Sequence, residues 1–442
     1  MSDSTNRTGT GNSPGRDSLK TSTAVTAGAA LASLGIGRSV HAAGSDLIKI
    51  ALIGCGGRGT GAAINALSTK ANVKLVAMAD PFKDRLDGSL RSIQSQCKDR
   101  VDVPEERRFL DLDGYQKAID AGVDMVLLCG PPGFRPMQFE AAVKAGKHVF
   151  MEKPVATDAP GVRKILAANE EAKKKSLVVG VGHHLRHEVK HKEVIKRIHE
   201  GAIGDLKFMR IYFNSSGVWV HNRKPDETEM QYQVRNWYYF TWLSGDHIVE
   251  QHVHDIDVAN WIKQGAPVKA NGMGGRQFRI GPQYGEIFDH HSVEFEYADG
   301  TKCFSFCRHI PNTWGAFSEF AHGTKGYADI EGHGRGILHV DGKEPMKWER
   351  GPDGHQLEMD DQFAALAAGQ PYNEGDYGAT SSMTAILGRM ATYSGQVVTW
   401  EQAINSKLDL GPAKLAWDAE PQPKPGPDGI YPCATPGVTK AW

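Results

Sequence analysis

The sequence predicts the α/β class: a doubly wound parallel sheet in the first half of the chain, then an α+β domain with a largely antiparallel open sheet. Three observations carry this expectation. The run LIKIALIGCGGRGTGAAINAL, Leu47 to Leu67, passes from an apolar strand through a glycine-rich turn into a helix former without a gap. Short apolar runs then alternate with helix-forming segments as far as Gly182. Beyond that point alternating runs are separated by turn residues, as in HSVEFEYADGTKCFSFCRH, where Asp299-Gly300 marks a hairpin.

The first turn has the spacing of a dinucleotide fingerprint, GxGxxG between strand and helix, which makes the opening unit a Rossmann domain. Gly54 permits the tight turn, Gly56 lets backbone approach a pyrophosphate, and Gly59 allows close helix packing. Gly57 and Arg58 complete the loop, and the helix N-terminus offers free N–H groups to phosphates. A second strand, Val73 to Ala79, ends in Asp80, about twenty residues on, where a carboxylate meets the adenosine ribose. That acid accepts from ribose hydroxyls and repels a 2′-phosphate, so NAD is expected over NADP. A plain turn before Pro81 is the alternative use of Asp80. DMVLLCG then reads as a buried strand, PMQFEAAVKAG as a helix closing at Gly146, and KHVFMEKP as a strand. Asp158 to Lys175 reads as a helix and LVVGVG as the last strand. Ligand is expected at the strands' C-terminal ends, where GCGGRG, Asp80, CGPPG and MEKP gather.

In the second half, GHHLRHEVKHKEVIKRIHEGAIGDL predicts an amphipathic helix closed by Gly201 and Gly204, and KFMRIYFN and HSVEFEYADGTKCFSFCRH predict antiparallel strands. YQVRNWYYFTWLSGDH concentrates Arg235, Asn236, Trp237, Tyr238, Tyr239 and Trp242, a mixture suited to a sugar ring or to an aromatic core. The expected division is 1–43 as a leader or disordered extension, 44–181 and 182–419 as the two domains, and 420–442 as a Pro/Gly-rich strap.

Basic and acidic residues number 51 and 52, and no run of like charge suggests a nucleic-acid surface. No apolar run reaches the roughly 18–20 residues of a membrane span. Six cysteines, at 55, 97, 129, 303, 307 and 433, show neither disulfide-scaffold density nor a paired zinc spacing, and Cys303 and Cys307 read as buried strand thiols. The histidines at 183, 184, 187, 191, 247, 252, 254, 290 and 291 match no ligand template, so no metal is expected. The first 43 residues are polar, then weakly apolar, then VHAAG, the order of a secretory leader cleaved near Ala42. They resemble a twin-arginine export signal at Arg16, Leu19 and Lys20, with Gly15 in place of the first arginine. A working leader implies a periplasmic enzyme and a decayed one a cytoplasmic enzyme.

GCGGRG, Ala79-Asp80, CGPPGFR and AGKHVFMEKP together resemble the Gfo/Idh/MocA oxidoreductases, the glucose-fructose oxidoreductase and inositol dehydrogenase family. Downstream, GDHIVEQHVHDID supplies the family's acid, histidine and aspartate as Glu250, His254 and Asp257. Glu250 replaces the customary aspartate, His252 a glycine, Asp246 and His247 part of a glycine-rich lead-in, and Arg135 a frequent histidine. These departures leave the substrate's identity open.

The resemblance implies a dehydrogenase of a sugar, sugar derivative or cyclitol, working as a homo-oligomer through the free sheet face. Gly130, Pro131, Glu152 and Lys153 join the fingerprint residues around the cofactor, and Arg235, Trp237, Asp257 and His184 are expected around the substrate. Lys153 is placed at the reacting hydroxyl, with Glu250 and His254 on one side of a short helix. Free lysine titrates near ~10.4 and histidine near ~6.5, so His254 is the expected general base and Lys153 its charge-stabilising partner, an assignment that is reversible. Glu250 is expected to hold the imidazole or bind a second hydroxyl. A glycosidase or lyase that oxidises and re-reduces its substrate through bound NAD, and a non-catalytic dinucleotide sensor, are the alternatives on the same fold.

Overall fold

A computed structural model of the chain describes residues 47–442. The expectations for the leader and its cleavage lie outside the described residues. Among the described residues no helix is long and apolar enough to cross a membrane.

The first sheet is built from β1 (Ile48–Ile53), β2 (Val73–Ala79), β3 (Arg108–Phe109), β4 (Met125–Leu128), β5 (His148–Met151) and β6 (Val179–Val181), all parallel, in the order β3-β2-β1-β4-β5-β6. Nearly every residue of β1, β2, β4 and β5 is buried, the continuous apolar signature of strands covered on both faces. The crossover helices are α1 (Gly57–Leu67), α2 (Lys83–Cys97), α3 (Gly114–Asp120), α4 (Arg135–Lys144) and α5 (Ala159–Lys174). Two glycines of the first turn are dictated by space. A Cβ on Gly54, which sits at φ +94°, would lie 2.3 Å from the Gly130 nitrogen, and one on Gly59 would lie 2.0 Å from the Gly54 carbonyl. Strand order reverses between β1 and β4, which opens a crevice beyond their C-terminal ends.

The chain enters the second half through a 3-10 turn, His184–His187, and α6 (Val189–His199). The single helix expected here is broken at Glu188, whose extended backbone (φ −69°, ψ 132°) lets its carboxylate pair with Lys190 and His191. Then follow β7 (Leu206–Ser215), α7 (Glu229–Arg235), α8 (Thr241–Ser244), α9 (His247–Glu250), α10 (Val253–Lys263), β8 (Lys269–Gly275), β9 (His290–Glu296), β10 (Lys302–His309), β11 (Ala316–Gly323), β12 (Gly326–Glu331), β13 (Gly336–Val340) and β14 (Met346–Trp348). α11 (Gly354–Ala367), α12 (Gly375–Ser394), β15 (Val398–Thr399) and α13 (Trp400–Ile404) complete the elements.

The nine-stranded second sheet runs β14-β13-β12-β11-β7-β10-β9-β8-β15. It is mostly antiparallel, and β9 and β10 form the expected hairpin with Gly300 at φ +84°. One pairing departs from expectation: β7 and β10 are parallel, with Phe208 opposite Lys302 and Ser215 opposite His309. Four helices and two strands separate them in the chain, so the return passes through a crossover rather than a turn. Cys303 and Cys307 are buried and unbridged. Rings such as Tyr212 and Phe306 (5.3 Å) and Phe208 and His322 (4.4 Å) stack along the half-buried positions of the strands.

α12 is buried along almost its whole length and packs against α5 and β6 as well as β8 and β9. After α13 the chain has no further helix or strand. It lies across the aromatic cluster, where Tyr431 meets Phe240 at 5.0 Å and Arg276 donates to its carbonyl (3.0 Å).

Candidate active site

A cavity of about 310 Å³ opens at the C-terminal ends of β1, β2 and β4, lined by Gly54, Gly56, Gly57, Arg58, Gly59, Asp80, Gly130 and Pro131. α1 begins there without a side-chain cap and without an acid in its first turn, so its leading N–H groups are free for an anion. Asp80 is held at the cavity edge by N–H groups of Cys55 (2.8 Å) and Phe82 (2.9 Å). Burial raises its pKa, against the pull of those donors and of Arg85. The donor loop and the acid fit a dinucleotide, for which Gly56–Gly59 would hold the phosphates and Asp80 the ribose. Behind the loop, Arg58 Nε pairs with Glu152 Oε1 at 2.9 Å.

Second-domain residues reach over this cleft. Val218, Trp219 and Trp237 line it, Arg85 Nη2 contacts His221 Nε2 (3.1 Å), and Trp417 Nε1 donates to Asp111 Oδ1 (3.0 Å).

A second cavity, of about 290 Å³, is lined by Lys153, Glu250, His254, His184, His333, His355, Arg135, Phe213 and Phe317, among others. Arg58, Cys129, Gly130, Trp237, Glu250 and Gln251 line both cavities, which therefore meet. Lys153 follows β5, and its Nζ donates to Glu250 Oε1 (3.0 Å) and to the Glu250 carbonyl. His254 is buried, and its Nδ1 has no hydrogen-bond partner. Burial, then Lys153 and His184, hold its pKa well below the usual imidazole range. His184 lies 4.7 Å from the His254 ring and 4.1 Å from His355, and burial pushes its pKa down to about 4.

Comparison with known proteins gives the lineage. Residues 48–183 match the profile described as "Oxidoreductase family, NAD-binding Rossmann fold", and residues 191–328 match the "GFO/IDH/MocA C-terminal domain". The chain belongs to the Gfo/Idh/MocA oxidoreductase family. Inositol 2-dehydrogenase of Rhizobium meliloti is 27% identical over 221 residues, 50% of this chain and 56% of that protein. 1,5-anhydro-D-fructose reductase of Ensifer adhaerens is 38% identical over 148 residues, 31% of this chain and 44% of that protein. The chain thus spans about half the length of the curated relatives it matches. Among solved structures, levoglucosan dehydrogenase in complex with NADH and levoglucosan aligns with a TM-score of 0.65 at 16% identity, covering 81% of this chain and 100% of that one. The aldose-aldose oxidoreductase of Caulobacter crescentus gives 0.63 at 19%, covering 80% and 100%. At such identities these likenesses show the fold, a Gfo/Idh/MocA pair of domains.

Within this Gfo/Idh/MocA frame the fold brings Lys153, Glu250, His254, His184 and Trp237 together and leaves two expected substrate contacts elsewhere. Asp257 is buried outside both cavities, gripped by Arg186 Nε (2.7 Å) and Nη2 (2.9 Å) and by Ser381 Oγ (2.7 Å). Arg235 lies over Phe82 (4.0 Å) and pairs with Glu227 (2.9 Å) and Asp84 (3.1 Å), so its charge is spent between the domains. Glu250 and His254 do not share a helix. The chain breaks at Gln251-His252 because the His252 ring is drawn to Ser305 Oγ (2.8 Å) and Asp255 (3.1 Å), and Glu250 turns to Lys153 instead of the imidazole.

Besides Phe213 and Phe317, sequence reasoning missed three polar contributors to the cavity walls. Gln251 lies where the cavities join, its Oε1 2.7 Å from His309 Nε2. His333 rides the β12–β13 turn, which Lys190 fixes by donating to the carbonyls of Glu331, Gly332 and Gly334. His355 arrives with the first turn of α11. Gln251 lies within GDHIVEQHVHDID with nothing to set it apart from its neighbours, and His333 and His355 sit in no short motif, their only advance signal being an excess of histidine.

Proposed function

We propose that the chain is an NAD-dependent dehydrogenase that moves a hydride between a carbinol carbon of a sugar, sugar derivative or cyclitol and the nicotinamide. The observation that carries this reading is the meeting of the dinucleotide cleft with a histidine-lined cavity at Lys153, Glu250 and His254. Bound NAD supplies the hydride acceptor. The carbinol hydroxyl must lose a proton as the hydride leaves, and neutral His254, with its Nδ1 unpartnered, can take it. Lys153, held by Glu250, donates to the same oxygen and stabilises its developing negative charge. Phe213, Phe317 and Trp237 offer faces to the C–H side of a ring, and His184, His333 and His355 offer hydrogen bonds to its hydroxyls. The test is a screen of polyols, uronates and nitrophenyl glycosides with NAD and NADP. Net NADH formation supports dehydrogenation, and free sugar without net NADH replaces it with the redox-assisted glycosidase.

Three expectations follow. Asp80→Ser should narrow the preference for NAD over NADP, measured as the ratio of their Kd values. Equal affinities in the unaltered protein would remove Asp80 from that role. Protein purified from about Gly44 onward should keep dinucleotide through dialysis, because second-domain and tail residues bridge the cleft. Cofactor-free protein would argue for ordinary exchange and against a closed internal redox cycle. The acid limb of the kcat/KM profile should lie below pH ~6.5, since a base with a lowered pKa stays unprotonated until more acid is added. A limb above that value would assign the proton transfer to another group.

A further inference from the structure

Outside both cavities, β9 and α12 enclose a cluster of polar side chains at the start of α9. Asp246 follows Gly245, at φ +76° and +80° respectively, and is fully buried. Its Oδ1 lies 2.8 Å from His247 Nδ1, and its Oδ2 accepts from Tyr393 Oη (2.6 Å) and the Phe288 N–H (3.0 Å). His291, also buried, places Nε2 3.3 Å from the same Oδ2. That nitrogen makes no hydrogen bond, and neither does His247 Nε2.

The tautomer of His291 makes this contact informative. Its Nδ1 is 2.9 Å from Thr392 Oγ1, and that hydroxyl donates its one proton to the Arg389 carbonyl (3.0 Å). In that arrangement Thr392 accepts, Nδ1 carries the hydrogen, and Nε2 presents a lone pair to a carboxylate oxygen. Two lone pairs facing one another in a buried site repel unless a proton or a metal ion lies between them. Arg389, the guanidinium nearby, is committed to the carbonyls of Thr157 and Gly245.

We propose that Asp246, His247 and His291 bind one divalent transition-metal ion. One donor atom from each lies within 4.8 Å of the others. The unpartnered donors are His247 Nε2 and His291 Nε2, and the 3.3 Å from His291 Nε2 to Asp246 Oδ2 falls within the roughly 2.8–3.5 Å that separates ligands bound about 2.0–2.2 Å from a shared ion. Two imidazoles and a carboxylate select zinc over calcium or magnesium, which take mainly oxygen ligands. Thr392 on the far nitrogen of His291 is the outer partner a ligating imidazole uses to fix its ring. Tyr393 Oη stands close enough to Asp246 to complete the shell. The ion would pin the Gly245-Asp246 turn that launches α9 and so sets Glu250 against Lys153. Sequence spacing gave no hint of it, because His291 comes from a different strand.

The test uses tag-free full-length chain made in zinc-supplemented medium, dialysed and analysed by plasma mass spectrometry. About one equivalent of zinc per chain is expected, falling to trace in His291→Gln. To keep the test independent of that variant's folding, chelator-stripped unaltered protein is titrated with Zn²⁺ and Co²⁺ in parallel. Saturable 1:1 uptake, a higher Tm and visible cobalt bands support the site. A folded protein that takes up neither metal overturns it in favour of a proton between His291 and Asp246. Metal retained equally by folded His291→Gln also overturns it, since the ion then sits elsewhere.

Discussion

Lys153→Ala or His254→Ala is expected to lower kcat by about 10²–10⁴-fold with an authentic substrate, while dinucleotide binding persists. The two side chains act on one oxygen in the proposed chemistry, one taking its proton and the other stabilising the charge left behind. Their losses should therefore not multiply in the double variant. Glu250→Ala should fall nearly as far as Lys153→Ala, because the Lys153 side chain is only 11% exposed and would lose its anionic partner. Glu250→Asp restores the acid customary in the family and should recover part of the rate. The checks are steady-state kinetics beside NAD titration followed by protein fluorescence. Near-normal turnover in either single variant would exclude that residue from the mechanism.

Asp257→Ala should destabilise the fold by about 3–5 kcal/mol, the typical cost of leaving one member of a buried ion pair alone. Its carboxylate is 1% exposed and takes two hydrogen bonds from Arg186, whose guanidinium lies over Tyr377 at 3.9 Å. Burial alone would raise the Asp257 pKa, but Arg186, His183 and Ser381 outweigh it and hold it below the ordinary carboxylate value. A group depressed in this way stabilises above its unfolded pKa, and that stabilisation fades as pH falls through the folded value. The loss in Asp257→Ala should thus be largest near neutrality and shrink in acid, measured by urea unfolding. An apolar pair at positions 186 and 257 should regain much of the stability. KM of the folded fraction should hardly move, and a large rise in KM without loss of stability would return Asp257 to the substrate site.

These two positions illustrate what a sequence discloses. Five strands of the first sheet were readable because they are continuously apolar, whereas the two-residue edge strand β3 carries no such signal. The position of Asp80, directly after a strand whose neighbour carries the glycine loop, was readable in the same way. The partners of Asp257 and Arg235 were not legible because a motif position or an aromatic neighbourhood says nothing about which partner wins the side chain. In both cases an opposite charge distant in the chain does: Arg186 for one, Asp84 for the other. The break between α9 and α10 depends on Ser305 of β10, and the histidines at 333 and 355 enter from turns without local signature. Parallel pairing of β7 with β10 likewise belongs to topology, since alternation in a strand marks its buried face and not its direction.

The placement of α11 bears on how the chain comes to be folded at all. Met359, Phe363 and Leu366 sit in one apolar cluster with Ile50, Leu52, Leu127 and Phe150, and Gln362 donates to the Val149 carbonyl at 2.7 Å. Part of one layer over the first sheet, beside α1 and α2, is therefore supplied from far downstream. During synthesis the part of the sheet that α11 covers stays bare until most of the polypeptide has left the ribosome. Such long-range closure slows folding and exposes the waiting intermediate to aggregation. A fragment ending near Gly182 should consequently be a chaperone client, and pulse-labelled chains should acquire protease resistance only after residue 366 has emerged.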